Sequence, residues 1–195
     1  MRSWLGLLIA SVPGFSQAPF TVTEVSQRYD AAGKLLSEAR FLFAVNRDGS
    51  IVSVDLDPAA GGIRQVIDAA KGRTLVIQPS SKSASEGRLS RPRIGSSDAC
   101  DERFRGMVGA VVSVDRKAGD ISGVAVQRVT VALPNGVEHE VMMAPTLGCQ
   151  MLRTVTLQNV QIRERKVVEN LVLGDPDSAL FEAPGDYRVT RVTGQ

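Results

Sequence analysis

An alternating stretch over residues 129–143 constrains the fold of this chain more than any other feature. Its apolar residues fall on odd positions both before and after Pro134-Asn135-Gly136. Two runs of period two around a short turn of this composition predict a β-hairpin with one apolar face on each strand. A three-residue loop predicts three opposite pairs: Leu133 with Val137, Val131 with His139, and Val129 with Val141.

The alternation changes phase just upstream of this hairpin. The apolar residues Val124 and Val126 occupy even positions, so the parity switches at Gln127-Arg128. Because side chains in a strand alternate strictly between two faces, one inserted residue would restore the pattern. We therefore predict a β-bulge at Gln127-Arg128.

Similar alternation along the whole chain, the hairpin included, predicts a sheet of nine to eleven strands. Leu35 to Val45 also fits an amphipathic helix, but Phe41, Phe43 and Val45 favour a strand. The residues from Ser80 to Gly87 are polar and predict an edge strand that leads into a loop.

The carboxy-terminal region predicts one helical turn. Asp175 is a suitable N-cap, Pro176 fits the first helical position, and Pro184-Gly185 ends the turn. We expect Phe181 from this turn to enter the core at one end of the sheet.

The amino terminus predicts export. Met1-Arg2 precedes an apolar run from Trp4 to Phe15, which is too short to span a membrane and typical of a secretory signal peptide. Cleavage is expected between Ser16 and Ala18. This assigns residues 1–18 to the signal peptide and 19–195 to a single antiparallel β domain in the periplasm or outside the cell. The alternative is an amino-terminal helix that packs in the fold.

The predicted export bears on the two cysteines, Cys100 and Cys149, because disulfides form in oxidising compartments outside the cytoplasm. Such a pair is most simply a disulfide, and the chain-entropy model assigns a loop of this length up to about 4 kcal/mol. Two buried thiols, a nucleophilic cysteine or a metal-binding cysteine are the alternatives. His139 is the only histidine in the chain, which disfavours a metal site.

The charge and the motifs exclude several function classes. A formal charge of +2 gives no general attraction to nucleic acid or to an anionic membrane, and no membrane segment is expected after signal removal. His139 lacks the partners of a zinc protease or a serine hydrolase, so we interpret it as a half-buried structural residue. We predict no enzyme and no cofactor. Arginines between Arg88 and Arg105 suggest a solvated loop, with an anion- or partner-binding loop as the alternative.

Three segments carry a family resemblance. They are Val22 to Ser50 with its Asp-Gly turn, Ile121-Ser122-Gly123-Val124 followed by Arg128, and the stretch from Gly174 to Tyr187. They resemble a group of uncharacterised exported bacterial proteins. More distantly, the chain is similar to periplasmic lipoprotein carriers of the Lol type and to related envelope-stress sensor domains. That resemblance implies a curved antiparallel half-barrel with an apolar concave face.

The function favoured by these observations is non-catalytic binding of an apolar ligand, a lipid or an acylated protein, on the concave face. Methionine and aliphatic side chains surround Cys149, and flexible thioethers can fit acyl chains of varied shape. The candidate lining residues are Met143, Leu147 and Met151, which could equally fill the core. The alternative function is a protein-interaction or sensor module of the cell envelope.

Overall fold

Alternating apolar and polar side chains form fourteen strands in the computed structural model, which describes residues 18–89 and 100–192. Nearly all of the predicted signal peptide, residues 1–17, lies outside the described residues. The strands are β1 (Phe20–Tyr29), β2 (Leu35–Val45), β3 (Ile51–Asp55), β4 (Arg64–Asp68), β5 (Arg73–Gln78), β6 (Ser83–Arg88), β7 (Val111–Asp115), β8 (Asp120–Ile121), β9 (Val124–Ala125), β10 (Gln127–Ala132), β11 (Val137–Ala144), β12 (Gln150–Gln158), β13 (Gln161–Leu173) and β14 (Arg188–Arg191).

Twelve of these strands form one curved sheet in the order β14-β6-β5-β4-β3-β2-β1-β13-β12-β11-β10-β7. Neighbours pair antiparallel except β14 and β6, which are parallel. The predicted fold class, a mainly β chain with one strongly curved sheet and short helical turns, is confirmed. The predicted edge position of Ser80 to Gly87 is wrong, because β14 returns from the carboxy terminus and pairs with the outer side of β6.

The predicted hairpin is confirmed in its register. Val131 lies opposite His139 and Val129 lies opposite Val141 in the pairing of β10 with β11. The backbone N–H of Leu133 donates to the carbonyl of Val137 at 2.8 Å, which closes the three-residue loop. Strand period and turn composition were therefore sufficient to set this local structure.

The predicted bulge at Gln127-Arg128 is wrong. Both residues pair with β11 in unbroken register, Gln127 with Met143 and Arg128 with Met142. The parity change marks a transition between sheets, since β8 and β9 form a separate two-stranded sheet that ends just before Val126. Val126 donates its N–H to the carbonyl of Gly119 at 3.0 Å, and both Val126 and Gln127 are buried.

Cross-strand partners point to the same face of a sheet, so the registers assign a face to every paired residue. The inner face is the one that carries Phe20, Val45 and Ile51 in β1–β3 and Val129 and Val131 in β10. The outer face is its opposite. Alternation places Ala44, Val52 and Val66 there in β2–β4, and Val25 and Val155 in β1 and β12.

Residues 100–109, which we call the strap, cover the inner face of β10 and β11. Cys100 and Phe104 pack against Val129, Val131 and Met143. The strap includes the single-turn helix α1 (Glu102–Arg105). At its far end it approaches the hairpin loop so closely that a Cβ on Gly109 would lie 3.0 Å from Pro134 Cγ. Residues 118–126 cover the neighbouring inner face, where Val124 and Val126 pack against Phe20 and Val45.

Residues 178–187, which we call the C-terminal cover, lie on the outer face of β2–β6. Phe181 is 7% exposed and packs in one cluster with Val52, Val66 and Leu75. The predicted core position of Phe181 is confirmed. The turn that carries it is a 3₁₀ helix, Ser178–Phe181, capped by Asp177, whose side chain accepts from the N–H of Ala179 at 2.9 Å.

The predicted N-cap at Asp175 is therefore wrong by two residues. Asp175 instead lies 3.2 Å from Arg47, and the chain from Gly174 to Pro176 is still extended or bent before the helical turn. Three further 3₁₀ turns are Pro58–Ala60, Pro79–Ser81 and Pro145–Leu147. Within residues 18–89 and 100–192, no helix is long and apolar enough to cross a membrane.

Candidate functional site

The predicted disulfide joins Cys100 to Cys149, whose Cα atoms lie 5.3 Å apart. Cys149 follows the turn between β11 and β12, and Cys100 begins the strap. The bond therefore fixes one end of the strap to the sheet that it covers.

The three predicted lining residues lie in the interior. Met143 and Leu147 are fully buried, and Met151 is half-buried. Met143 and Met151 pack in the cluster beneath the strap, whereas Leu147 packs with Val124 and its neighbours. The structure thus brings these residues to the inner face but divides them between two packed clusters. A ligand-lining role for them stays a prediction.

His139 is half-buried on the inner face, as predicted, and its Nδ1 lies 3.1 Å from Oγ1 of Thr156. Glu138 and Glu140 are its chain neighbours, and alternation directs them to the outer face. Within the described part of the chain, no group of three or more His, Cys, Asp or Glu side chains is placed to hold a metal ion.

The predicted arginine loop is described only at its ends, because Arg91 and Arg93 lie outside the described residues. Arg105 donates to the carboxylate of Asp101 from Nε at 2.8 Å and from Nη2 at 2.6 Å. These bonds hold the pKa of Asp101 below its ordinary value, against the opposite effect of burial. Arg105 therefore serves the strap rather than an external anion.

The outer face of β1 and β10–β13 carries the surface that best fits a binding site. We call it the open patch. Its buried residues Val25 and Val155 belong to none of the clusters that the sheet forms with the strap, with residues 118–126 or with the C-terminal cover. Val25 and Val155 are buried at its centre, and Val167 is half-buried beside Val25. The long stems of the surrounding arginines can shield such residues while the charged heads remain in water.

Charged residues of both signs surround this apolar centre. Arg40 pairs with Glu169 at 2.6 Å, and Arg128 pairs with Asp115 at 3.2 Å. Other charges have no such partner: among the described residues, none of opposite sign lies within 4.0 Å of the ionised groups of Arg153, Arg165, Glu138 or Glu140. An apolar centre with unpaired charges at its border is the usual composition of a protein interface.

A shallow depression of about 220 Å³ lies at one side of the open patch. Its lining includes Ser113, Asp115, Arg128, Thr130 and Glu140, which the register places together on the outer face of β7, β10 and β11. The depression is polar and too small for an acyl chain with its headgroup. It can accept one or two side chains of a partner.

The sequence alone did not predict the open patch. Each of its strands has a recognisable alternation, for example Arg153, Val155 and Leu157 in β12. After a register shift at Leu152, the odd residues of β12 from Arg153 onward lie on the outer face, whereas the odd residues of the hairpin lie on the inner face. Only the register across the sheet brings the arginines and valines together. The sequence shows that these strands are rich in arginine and valine. It does not show that these residues meet on one face.

Comparison with known proteins supports the fold. No protein-family model matches the chain, and a search of curated proteins gave no match. An uncharacterised conserved protein from Thermus thermophilus has a similar structure, with a TM-score of 0.54 and 11% identity over 91% of this chain and 92% of that one.

MucB has a similar fold. A chain of the Pseudomonas aeruginosa MucA/MucB complex gives a TM-score of 0.55 with 16% identity. MucB in complex with MucA(peri) gives 0.55 with 17% identity. Each alignment covers 91% of this chain but only 59% and 58% of the respective MucA/MucB chains. At these identities the likeness extends to the fold alone.

A LolA superfamily protein, NE2245 from Nitrosomonas europaea, overlaps with a TM-score of 0.39 and 11% identity. A score this low carries no argument about function. The predicted resemblance to Lol-type carriers is therefore matched only by a weak structural similarity, and membership of an exported bacterial group stays a prediction.

Proposed function

We propose that this protein is an exported, non-catalytic module of the cell envelope that binds a protein partner through the open patch. The observation that carries the proposal is the contrast between the two faces. On these strands the inner face is filled by the strap and by residues 118–126, while the buried valines of the open patch, which also carries unpaired charges, pack in neither of those clusters. The disulfide supports an oxidising compartment outside the cytoplasm.

The chemistry of the open patch favours a protein over a lipid. Arg153 and Arg165 can bind carboxylates with planar, two-point geometry, and Glu138 and Glu140 can bind cations. A partner with both kinds of charge and an apolar residue for the Val155 centre fits this arrangement. MucB, which shares the fold, has been solved in complex with MucA. This likeness supports a protein partner as a working hypothesis for the present chain.

Site-specific photocrosslinking in the producing cell tests the proposal. A benzophenone side chain at position 153 should give one discrete protein adduct, and the same probe at Arg188 on β14 should not. Arg165→Glu introduced beside the position 153 probe should reduce that adduct at least fivefold. An adduct that is equally strong from both positions, or unchanged by Arg165→Glu, would contradict the assignment.

An apolar ligand on the inner face is the second candidate. The observation in its favour is that Met143 and Met151 lie directly beneath the strap, so displacement of the strap would uncover them. Displacement of a fluorescent fatty acid measures this binding. Saturable binding that is lost in a folded Met143→Glu variant supports the carrier. Without saturable binding, this second candidate is rejected and the first is unaffected.

A further inference from the structure

One end of the curved sheet consists entirely of turns. The hairpin loops β1–β2, β12–β13 and β10–β11 meet there, together with the strap residues that lead into β7, because all seven strands begin or finish at this end. Seven strands at a spacing of about 4.8 Å make this end roughly 30 Å wide. We call it the turn end.

The turn end exposes the most accessible large apolar side chains among the described residues. Val108 in the strap is 98% exposed, Val160 in the β12–β13 turn is 92% exposed, and Leu36 at the start of β2 is 63% exposed. Leu35 and Ile162 are also exposed beside them. These side chains lie on separate segments across the width of the turn end, namely the strap, the β12–β13 turn and the start of β2, and they do not form one groove.

Val160 occupies a backbone conformation that disfavours valine. Asn159 and Val160 have φ values of 50° and 62°, so both residues of this two-residue turn are left-handed. The second position of such a turn normally holds glycine, and a β-branched residue is among the least suitable. The neighbouring turn holds this geometry in place, since Asn159 donates its N–H to the carbonyl of Gly136 at 3.1 Å. With its side chain almost wholly in solvent, Val160 gains little from packing in return.

Cations flank the exposed apolar residues. Within the described part of the chain, no carboxylate lies within 4.0 Å of the ammonium of Lys34 in the β1–β2 turn or the guanidinium of Arg163 near the start of β13. Asp30, the acidic residue of the same turn, accepts the N–H groups of Ala32 and Lys34 at 2.9 Å, so its carboxylate is directed into its own turn.

We propose that the turn end docks on the surface of an anionic lipid bilayer. Val108, Val160 and Leu36 would enter the headgroup region, and Lys34 and Arg163 would contact lipid phosphates. A fluid interface accepts apolar side chains that stand apart on separate turns, whereas a rigid protein partner would need a matching pocket for each. This surface is distinct from the open patch, so docking would leave that patch accessible to a protein.

An environment-sensitive fluorophore on the full chain tests this docking. V160C can be labelled selectively because Cys100 and Cys149 are oxidised to each other. Vesicles of phosphatidylcholine with one quarter phosphatidylglycerol should shift the emission to the blue. The same fluorophore at V172C, exposed at the opposite end of β13, should not respond. No shift at position 160, or equal shifts at both positions, would overturn the proposal.

Val160→Gly provides a second test with two readouts of opposite sign. Glycine relieves the left-handed conformation and should raise the melting temperature by about 2–4 °C. Vesicle affinity is measured in the double variant Val160→Gly, Val108→Ser with the fluorophore at L36C. It should fall at least fivefold relative to the labelled L36C protein that keeps Val160 and Val108. Val172→Ser at the opposite end of β13 should leave vesicle binding unchanged. Unaltered affinity in the Val160→Gly, Val108→Ser variant would overturn the proposal even if its stability rises.

Discussion

The strap and the C-terminal cover perform the same task on opposite faces of the sheet, but different forces hold them. The strap is attached by the Cys100–Cys149 bond and by the ion pair of buried Asp101 with Arg116, which lies 3.8 Å away in the turn after β7. The C-terminal cover has no covalent attachment and depends on Phe181 and on ion pairs with β5. A disulfide acts mainly by restricting the unfolded chain, whereas Phe181 acts through contacts in the folded state.

The ion pairs of the C-terminal cover converge on Arg73. Its guanidinium lies 2.9 Å from Asp68, 3.0 Å from Glu86 and 2.8 Å from Glu182 of the cover. Burial alone would lower the pKa of Arg73, but these carboxylates more than reverse that effect and hold the pKa above its ordinary value. Lys71 also pairs with Glu182. Both covering segments should therefore respond to acid, through Glu182 and Asp101, but only the strap should respond to reductant.

The largest expected effect comes from the aromatic anchor of the C-terminal cover. Phe181→Ala should lower the free energy of unfolding by about 3–5 kcal/mol, because the ring is almost fully buried and leaves a cavity. Urea unfolding measures this loss. Val189→Ala, an exposed change on nearby β14, is the control and should cost less than about 0.5 kcal/mol. A loss below about 1 kcal/mol for Phe181→Ala would mean that the ring does not anchor the cover.

Removal of the disulfide should have an effect of similar size on the strap. Cys100→Ser combined with Cys149→Ser should cost about 4 kcal/mol, since the bond closes a separation of 49 residues. Hydrogen exchange should increase in the strap more than in the C-terminal cover. Alkylation of the denatured, unreduced protein should label neither cysteine. Labelling of both would refute the covalent attachment of the strap.

The buried carboxylate of the strap should have a smaller effect. Asp101→Asn removes the charge that receives both bonds from Arg105 and should cost about 1.5–3 kcal/mol. Glu102→Gln, an exposed neighbour of the same charge type, should be nearly neutral. Equal losses in the two variants would show that general charge, not the Asp101 contact, stabilises the strap.

The smallest expected effect is the response of the C-terminal cover to acid. Hydrogen bonds from Lys71 and Arg73 hold the pKa of Glu182 below its ordinary value of 4.5, although burial opposes them. The unfolded chain therefore takes up this proton at a higher pH than the folded chain. The contribution of Glu182 is complete above its ordinary pKa and is lost as the pH falls through the lowered folded value.

Glu182→Gln should reduce this acid-dependent loss of stability, which begins as the pH falls below the ordinary pKa of 4.5. At neutral pH the variant should cost less than about 1 kcal/mol, because the Glu182 side chain is 51% exposed and solvent screens its ion pairs. Unfolding midpoints at a series of pH values measure both effects. If the unfolding midpoints of the parent and the variant depended on pH in the same way, Glu182 would not contribute to the acid response of the cover.

Local features of the sequence determined much of this fold. Period-two alternation and the Pro134-Asn135-Gly136 loop predicted the hairpin and its register, because turn geometry and strand period act over a few residues. The pair of cysteines in a chain with a predicted export signal indicated the disulfide. An apolar residue in a short capped turn predicted the buried position of Phe181. In each case the determining residues are few, and most are near each other in sequence.

Long-range pairing decided the rest. The parity change before Gln127 indicated a discontinuity, but only the tertiary structure distinguished a bulge from a transition between two sheets. The return of β14 to pair with β6 joins segments about 100 residues apart, and no local pattern encodes such a contact. Which chain segment covers each face is decided in the same way. This is why the sequence predicted apolar faces but not the open patch: burial depends on what packs against a strand, not on the strand alone.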